Sequence, residues 1–270
     1  FTKDGKTWYA TENKIIQKQK NSFVSNSIKF PSTKIKIQAF IIVGETEYFG
    51  TNQGLWFREG NSALKRLKNI NVLSLDHLES GDILIGSKKG LYYLRSGELK
   101  QYKPTGDDHA FLNNTPILSI EVISPDEIWY STFGMGLYLH DPGTFINFNS
   151  SNGLDTGDMV YDLATQNGKV YIATGNGLFI YKNSLITDHY TTTDGLLSNK
   201  ILDIEIDSKG ALWIATAKGL SHFNGSKFKN YSRKDGLPSS LVTAVHIDQN
   251  DDSRIWMGPS IYVNHHFGQY

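Results

Sequence analysis

The stretch LWIATAKGL, residues 212–220, decides the fold, because relatives of it return along the chain: VYIATGNGL at 170–178, ILIGSKKGL at 83–91 and TWYATENKI at 7–15. Aligned on the large residue, the copies form a column of Trp8, Tyr48, Leu84, Trp129, Tyr171, Trp213 and Trp256. Two places on stands a small residue: Ala10, Gly50, Gly86, Ser131, Ala173, Ala215 and Gly258. A hydroxyl follows at Thr11, Thr51, Ser87, Thr132, Thr174 and Thr216, broken only by Pro259. The aliphatic that closes the motif is Ile15, Leu55, Leu91, Leu137, Leu178, Leu220 and Ile261. The large residues are spaced 40, 36, 45, 42, 42 and 43 apart. Repeats of about 40 to 45 residues with four short strands each are propeller blades.

Each unit parses into four strands. A β-branched run such as ILDIEID (201–207) or VTAVHID (242–248) comes first, then ALWIAT, then GLSHF, then KFKNYS, with turn residues between. No segment keeps a 3.6-residue apolar period over three turns, which excludes helical repeats. The expectation is an all-β, seven-bladed β-propeller of four-stranded antiparallel blades, one domain over residues 1–270. The first and last blades are atypical. The first has only Phe1 and Thr2 ahead of its turn, and the last carries GPSI where others have a fuller Thr-x-x-Gly-Leu. The columns have physical readings. Gly54, Gly90, Gly136, Gly177 and Gly219 take the turn between second and third strands, where a left-handed backbone is cheapest for glycine. The large column packs one blade on the next, the small column on the same face permits close approach, and the hydroxyls satisfy turn backbone groups.

Composition bounds the function. Lys plus Arg and Asp plus Glu both number 27, so no net field draws the chain to nucleic acid. The longest apolar run, AFIIV at 39–43, is too short to span a bilayer, so no membrane insertion by this segment is expected. Cysteine is absent, which removes disulfides and thiolate chemistry and suits an oxidising compartment. The chain starts at Phe1 without Met, which reads as a mature chain or a fragment.

The best copy, NKILDIEIDSKGALWIATAKGL at 199–220, resembles the two-component regulator propeller repeat. The matching positions are Asn199, Ile201, Ile204, Asp207, Gly210, Leu212, Trp213, Ile214, Thr216, Gly219 and Leu220, with Ala215 in place of a glycine. The linker of that family, aromatic-Thr-x-x-Asp-Gly-Leu, is matched by YTTTDGL (190–196) and YSRKDGL (231–237), and more loosely by FNSSNGL (148–154). The resemblance implies a periplasmic or extracellular sensor propeller of a bacterial hybrid two-component system, or a related secreted protein. It also implies a segment of a membrane-anchored chain as one setting. Seven units are about half the number usual in the kinase sensors.

Loops that escape the repeat are the places to seek a ligand site, since function concentrates on loops. The largest departure is KPTGDDHAFLNNTP (103–116), where Asp107, Asp108, His109, Phe111, Asn113 and Asn114 supply donors, acceptors and a ring. The next is TFGMGL (132–137), one residue longer than its siblings, where Phe133 and Met135 add apolar area. Both belong to the fourth unit, and the mix suits a sugar or small polar ligand. The column Ala39, Ser74, Ser119, Asp162, Asp203, Ala244 in the first strands is small or polar, as crowded innermost strands require. Asp162 and Asp203 are also candidates to line the channel and hold water or a ligand.

Other motifs carry less. DQNDD (248–252) imitates the start of a calcium loop without its glycine and closing glutamate. His265 and His266 point to opposite faces of an expected strand and do not share a metal. No metal, cofactor or catalytic set is expected: no Ser-His-Asp order, nucleophile elbow or carboxylate pair stands out. The functional expectation is a non-catalytic, extracytoplasmic ligand-binding or sensor module, with a small molecule, an oligosaccharide or a protein as partner. The alternatives are a protein-interaction scaffold and a propeller polysaccharide lyase or hydrolase.

Overall fold

The computed structural model of the chain describes residues 2–3, 6–10, 14–19, 22–102, 112–141, 144–155, 159–247 and 255–258. The DQNDD run, the His265–His266 pair and the candidates Asp107, Asp108, His109 and Phe111 lie outside them. Strands fall where the repeat puts them. The first sheet holds β1 (Thr2–Lys3), β2 (Lys6–Ala10), β3 (Lys14–Gln19) and β4 (Ser22–Ser27). The second holds β5 (Ile37–Val43), β6 (Thr46–Thr51), β7 (Gly54–Glu59) and β8 (Lys65–Lys68). The third holds β9 (Val72–His77), β10 (Ile83–Ser87), β11 (Gly90–Arg95) and β12 (Glu98–Gln101). The fourth holds β13 (Ile117–Ser124), β14 (Glu127–Thr132), β15 (Leu137–Asp141) and β16 (Thr144–Phe148). The fifth holds β17 (Val160–Gln166), β18 (Lys169–Thr174), β19 (Gly177–Lys182) and β20 (Leu185–Tyr190). The sixth holds β21 (Ile201–Ile206), β22 (Leu212–Thr216), β23 (Gly219–Phe223) and β24 (Phe228–Tyr231). The seventh shows β25 (Ala244–Ile247) and β26 (Ile255–Gly258).

Six of these are four-stranded and the seventh, among the described residues, is two-stranded; strands within each sheet pair in chain order, as in propeller blades. The two end sheets are the atypical ones, β1 contributing only two residues to the first. The chain divides into two compact units. One takes in Phe1–Thr132 with Tyr138–Ile146, and the other Phe133–Leu137 with Asn147–Tyr270.

Alternation along the second strand sends its side chains to two different neighbours in β10 and in β22. In β10, Ile83 and Ile85 join Ile41, Leu55 and Val72 in a core with the second sheet, while Leu84 joins Ile117, Ile128 and Tyr130 in a core with the fourth. In the other unit, Leu212 and Ile214 pack with Tyr171, Ala173 and Ile201, and Trp213 and Ala215 pack with Val242 and Val245. Leu84, Tyr171 and Trp213 of the large column therefore face the following sheet, as expected. The rings meet mostly aliphatic side chains there, and the stacked ring pairs lie within a sheet, as with Trp213 and Tyr231 at 5.8 Å. Each aliphatic buried in these interfaces contributes about 1.5–3 kcal/mol.

The hydroxyl and glycine columns build one turn together. Thr51, Ser87, Thr174 and Thr216 each donate their hydroxyl to the carbonyl of Gly54, Gly90, Gly177 and Gly219, at 2.7–2.9 Å. Each also accepts the amide two residues on. Gly219 has φ +141°, and a Cβ there would lie 2.3 Å from the Tyr231 carbonyl oxygen. Glycine is thus required twice over, by backbone angle and by the closeness of the fourth strand.

The linkers are capped 3₁₀ turns. Thr191 and Asp194 form a reciprocal capping box, as do Ser232 with Asp235 and Asn149 with Asn152, and each turn ends in a left-handed glycine. Hydrogen bonds from the Thr191 and Ser232 amides lower the carboxyl pKa of Asp194 and Asp235. The leucine after each glycine turns inward, Leu154 and Leu196 being buried.

The small column is a close-approach requirement. A Cβ on Gly50 would lie 2.5 Å from Cγ1 of Val72, on the next sheet, and one on Gly86 would lie 2.8 Å from the backbone oxygen of Ile117. Gly50→Ala is expected to cost about 1–3 kcal/mol of stability by overpacking. Adding Val72→Ala should recover part of that loss, whereas Gly86→Ala, opposed by backbone, should resist such rescue. A denaturant double-mutant cycle checks both; additive losses at Gly50 and Val72 would rule out the contact.

Candidate ligand loops and a buried carboxylate pair

The first strand of each sheet is an edge strand, hydrogen-bonded on one side only. Its remaining amides need acceptors if they are buried. A bulge recurs in these strands just ahead of the small-or-polar column, between Val160 and Asp162 in β17 and between Ile201 and Asp203 in β21. Bulges re-aim the side chains that follow them. Asp162 Oδ2 accepts the Ile204 amide at 3.0 Å, and Asp203 Oδ2 accepts the Val245 amide at 2.7 Å. A second tier sits two residues on: Glu205 Oε2 accepts the Ile247 amide at 2.9 Å and lies 3.1 Å from Nδ1 of His246. In the other unit Asp76 Oδ2 does the same for the Val122 amide at 2.8 Å. Each carboxylate thus ties its sheet to the next.

Asp162 and Asp203, 4 % and 3 % exposed, are also hydrogen-bonded to each other through their side chains. No carboxylate pair stands out in the sequence; the structure makes one from residues 41 positions apart in a single column. Two carboxylates in such contact cannot both ionise away from water. Burial first, then the Asp162 charge and the hydrogen bond between them, raise the Asp203 pKa well above the ordinary carboxylate range. The pair therefore holds a proton between its two carboxyls. Direct contact of this kind leaves no room for the water or sugar carbon that glycosidase carboxylates flank from about 5 Å or more apart. The pair works as a clamp between sheets.

The loops of the fourth unit give a more open surface. Phe133 and Met135 are 57 % and 41 % exposed. Their loop is fixed from both sides. Phe133 bridges Met159 in antiparallel fashion. The Asn147 side-chain amide donates to the Met135 carbonyl at 3.0 Å, and Asn149 donates in turn to Asn147. Gly136, at φ +81°, could not be replaced, since a Cβ would lie 2.2 Å from the Phe148 carbonyl oxygen. In the next sheet Asn176 donates to the Asp155 carbonyl and carboxylate, both at 3.3 Å. His189 Nε2 bonds the Asn176 carbonyl at 2.8 Å, and its ring stacks on Phe179 at 3.8 Å. Sequence reading missed Asn147, Asn149, Asn176 and His189, although Asn149, Asn152 and Gly153 already spelled a capping box. Of the remaining candidates, Asn114 is exposed and Asn113 half-buried, its carbonyl accepting from Gln101 at 2.7 Å. The surface offers a ring, a thioether and fixed amides.

The comparisons with known proteins agree with this architecture. Residues 195–218 match the family description "Two component regulator propeller". A 56-residue stretch, 21% of the chain, is 39% identical to part of a histidine kinase P4 from Formosa agariphila, of which it covers 4%. The extracellular domain of a putative hybrid two component system from B. thetaiotaomicron superposes with a TM-score of 0.70 at 18% identity, over 94% of this chain and 35% of that one. Virginiamycin B lyase from Staphylococcus aureus superposes with a TM-score of 0.73 at 14% identity, over 95% of this chain and 89% of that one. These likenesses establish the propeller fold. The chain spans about a third of the length of the sensor structure and a far smaller part of the kinase.

The clamp has a measurable signature. A carboxyl whose folded pKa exceeds its unfolded value, about 3.9, binds more protons folded than unfolded between the two. Stability therefore falls as pH rises through that window and levels off above the raised folded value. Asp203→Asn keeps an N–H for Asp162 and an oxygen for the Val245 amide, so it should fold and should flatten that fall. Asp203→Ala leaves the Val245 amide without its acceptor and takes away Asp162's carboxyl partner, and should cost about 1–3 kcal/mol. Thermal unfolding between pH 4 and pH 9 decides; an Asn variant that keeps the wild-type slope would contradict the shared proton.

Proposed function

We propose that this chain is the ligand-recognising propeller segment of an extracytoplasmic sensor, periplasmic or extracellular and part of a membrane-anchored two-component protein. The segment is non-catalytic. Its ligand is a carbohydrate fragment or other small polar molecule held on the loop surface of Phe133 and Met135. The observation that carries this reading is the exposure of those two side chains on a loop fixed by Asn147 and Phe133's own bridge. An apolar surface held rigid in this way is primed for binding. The repeat match at 195–218 and the sensor-domain likeness support the sensor role. The lyase likeness supports only the scaffold, since one fold hosts many functions. Asp107, Asp108, His109, Phe111, Asn113 and Asn114 stand as a separate set of proposed ligand residues on their own loop, the first four outside the described residues. Asp162 and Asp203 enter the reading as the clamp that holds the supporting strands.

A glycan array and a thermal-shift panel of sugars on the wild-type chain find the ligand. Phe133→Ala and Met135→Ala, both surface changes, should leave the unfolding midpoint within about 0.5 kcal/mol of wild type. Phe133→Ala should weaken the ligand found by about tenfold, an aromatic anchor contributing more than about 1 kcal/mol. Silence across the panel together with capture of a protein partner would replace this reading with the interaction scaffold.

A further inference from the structure

The compact unit that takes in Phe1–Thr132 contains a groove of about 850 Å³, lined mainly by its third and fourth sheets and by Lys68 of the second. That size lies within the range of small-molecule sites, roughly 300–1,000 Å³. Strand register explains its wall. Tyr93 stands opposite Lys100 across β11 and β12, and opposite Leu84 across β10 and β11, so all three share one face. Arg95 and Tyr102 extend that face by two residues along each strand. The floor is apolar, from Leu84 and Ile128, and His140 joins it from β15.

Charge on the lining is one-sided: Lys68, Arg95 and Lys100 line the groove, and no Asp or Glu among the described residues does. Arg95 pairs through Nε with Asp82 at 2.7 Å, which fixes the guanidinium while its terminal nitrogens remain available. Lys100 is held at 2.8 Å from Glu98, and that hydrogen bond raises its pKa, so it stays charged. Lys68 Nζ rests 4.9 Å from the Tyr92 ring centroid. Burial raises the pKa of Tyr102, and burial with the neighbouring Tyr102 raises that of Tyr130, so both hydroxyls stay protonated at neutral pH. Such a lining offers cations and tyrosyl rings to a ligand, with Asp82 and Glu98 each engaged by one of those cations.

We propose that this groove is a second binding site, selective for a ring-bodied organic anion: a carboxylate or sulfate group faces Arg95 and Lys100, with Lys68 adding positive charge at the groove's edge, and the ring rests on Tyr93 and Tyr102. It does not depend on the function assigned to the Phe133 loop, and either site stands if the other fails. Carboxylate and sulfate share the charge and the acceptor oxygens that the cations require; the probes tell them apart.

The test is an NMR titration of the intact chain with glucuronate, glucose 6-sulfate, glucose and inorganic sulfate, following the amides of Tyr93, Gln101 and Tyr102. Glucuronate, glucose 6-sulfate or both should shift these signals with a Kd at least tenfold below that of glucose. The affinity should fall as salt rises. Lys68→Ala and Lys100→Ala are exposed changes and should each weaken the anion severalfold while leaving the spectrum otherwise folded. Phe133→Ala should leave this titration unchanged. Equal binding of glucose and glucuronate would overturn the anion selectivity. Inorganic sulfate binding as tightly as glucose 6-sulfate would overturn the role of the ring. No shift with any probe, or anion binding indifferent to both lysine variants, would overturn the site.

Discussion

A sheet that begins with an edge strand leaves a row of amide donors without a partner in its own hydrogen-bond ladder. When the next sheet packs closely enough to exclude water, those donors need acceptors from the protein. This chain meets the requirement with carboxylates projected from the preceding sheet: Asp162 to Ile204, Asp203 to Val245, Glu205 to Ile247, and Asp76 to Val122. Everything else about sheet packing is adjusted to that closeness. The small column keeps side chains out of the way, the large column fills the space farther along the strand, and the bulge turns the carboxylates toward their amides. Removing a single acceptor would strand a buried N–H, which is why these positions carry acids inside an otherwise apolar interior.

Much of this order was legible in the sequence because it repeats. Gly219, Thr216, Ala215 and Trp213 recur at fixed offsets, and each offset has one physical role, in order the turn, its hydroxyl, the close approach and the packing between sheets. Period-two alternation then assigns the residues of strands such as β10 and β22 to one of two neighbouring sheets. The capped linkers were visible as YTTTDGL and YSRKDGL, where a hydroxyl, an acid three places on and a glycine specify a turn locally.

What escaped the sequence is what depends on lateral distance between sheets. Asp162 and Asp203 stood in one column, but nothing in their spacing says that their carboxyls touch, since that follows from how tightly one sheet lies on the next. The bulge before them has no residue signature, as Leu202 is an ordinary strand residue. The Asn147–Asn149 anchor of the Phe133 loop and the cationic groove beside Tyr93 arise where strands end or diverge, places that periodicity does not describe. A scaffold read from its repeat and ligand surfaces read from its departures thus need different kinds of argument.

The clamp between sheets stands on a proton that Asp203 shares with Asp162 inside the folded chain. Carbon-13 NMR of aspartate-labelled protein, titrated from pH 3 to pH 9, observes this directly. One side-chain carboxyl should keep the chemical shift of the protonated acid well above the pH at which the other aspartates have ionised, and that signal should be missing from the Asp203→Asn chain. If every aspartate ionises near or below the ordinary range, about pH 4, the carboxyls do not share a proton and the clamp as described is wrong.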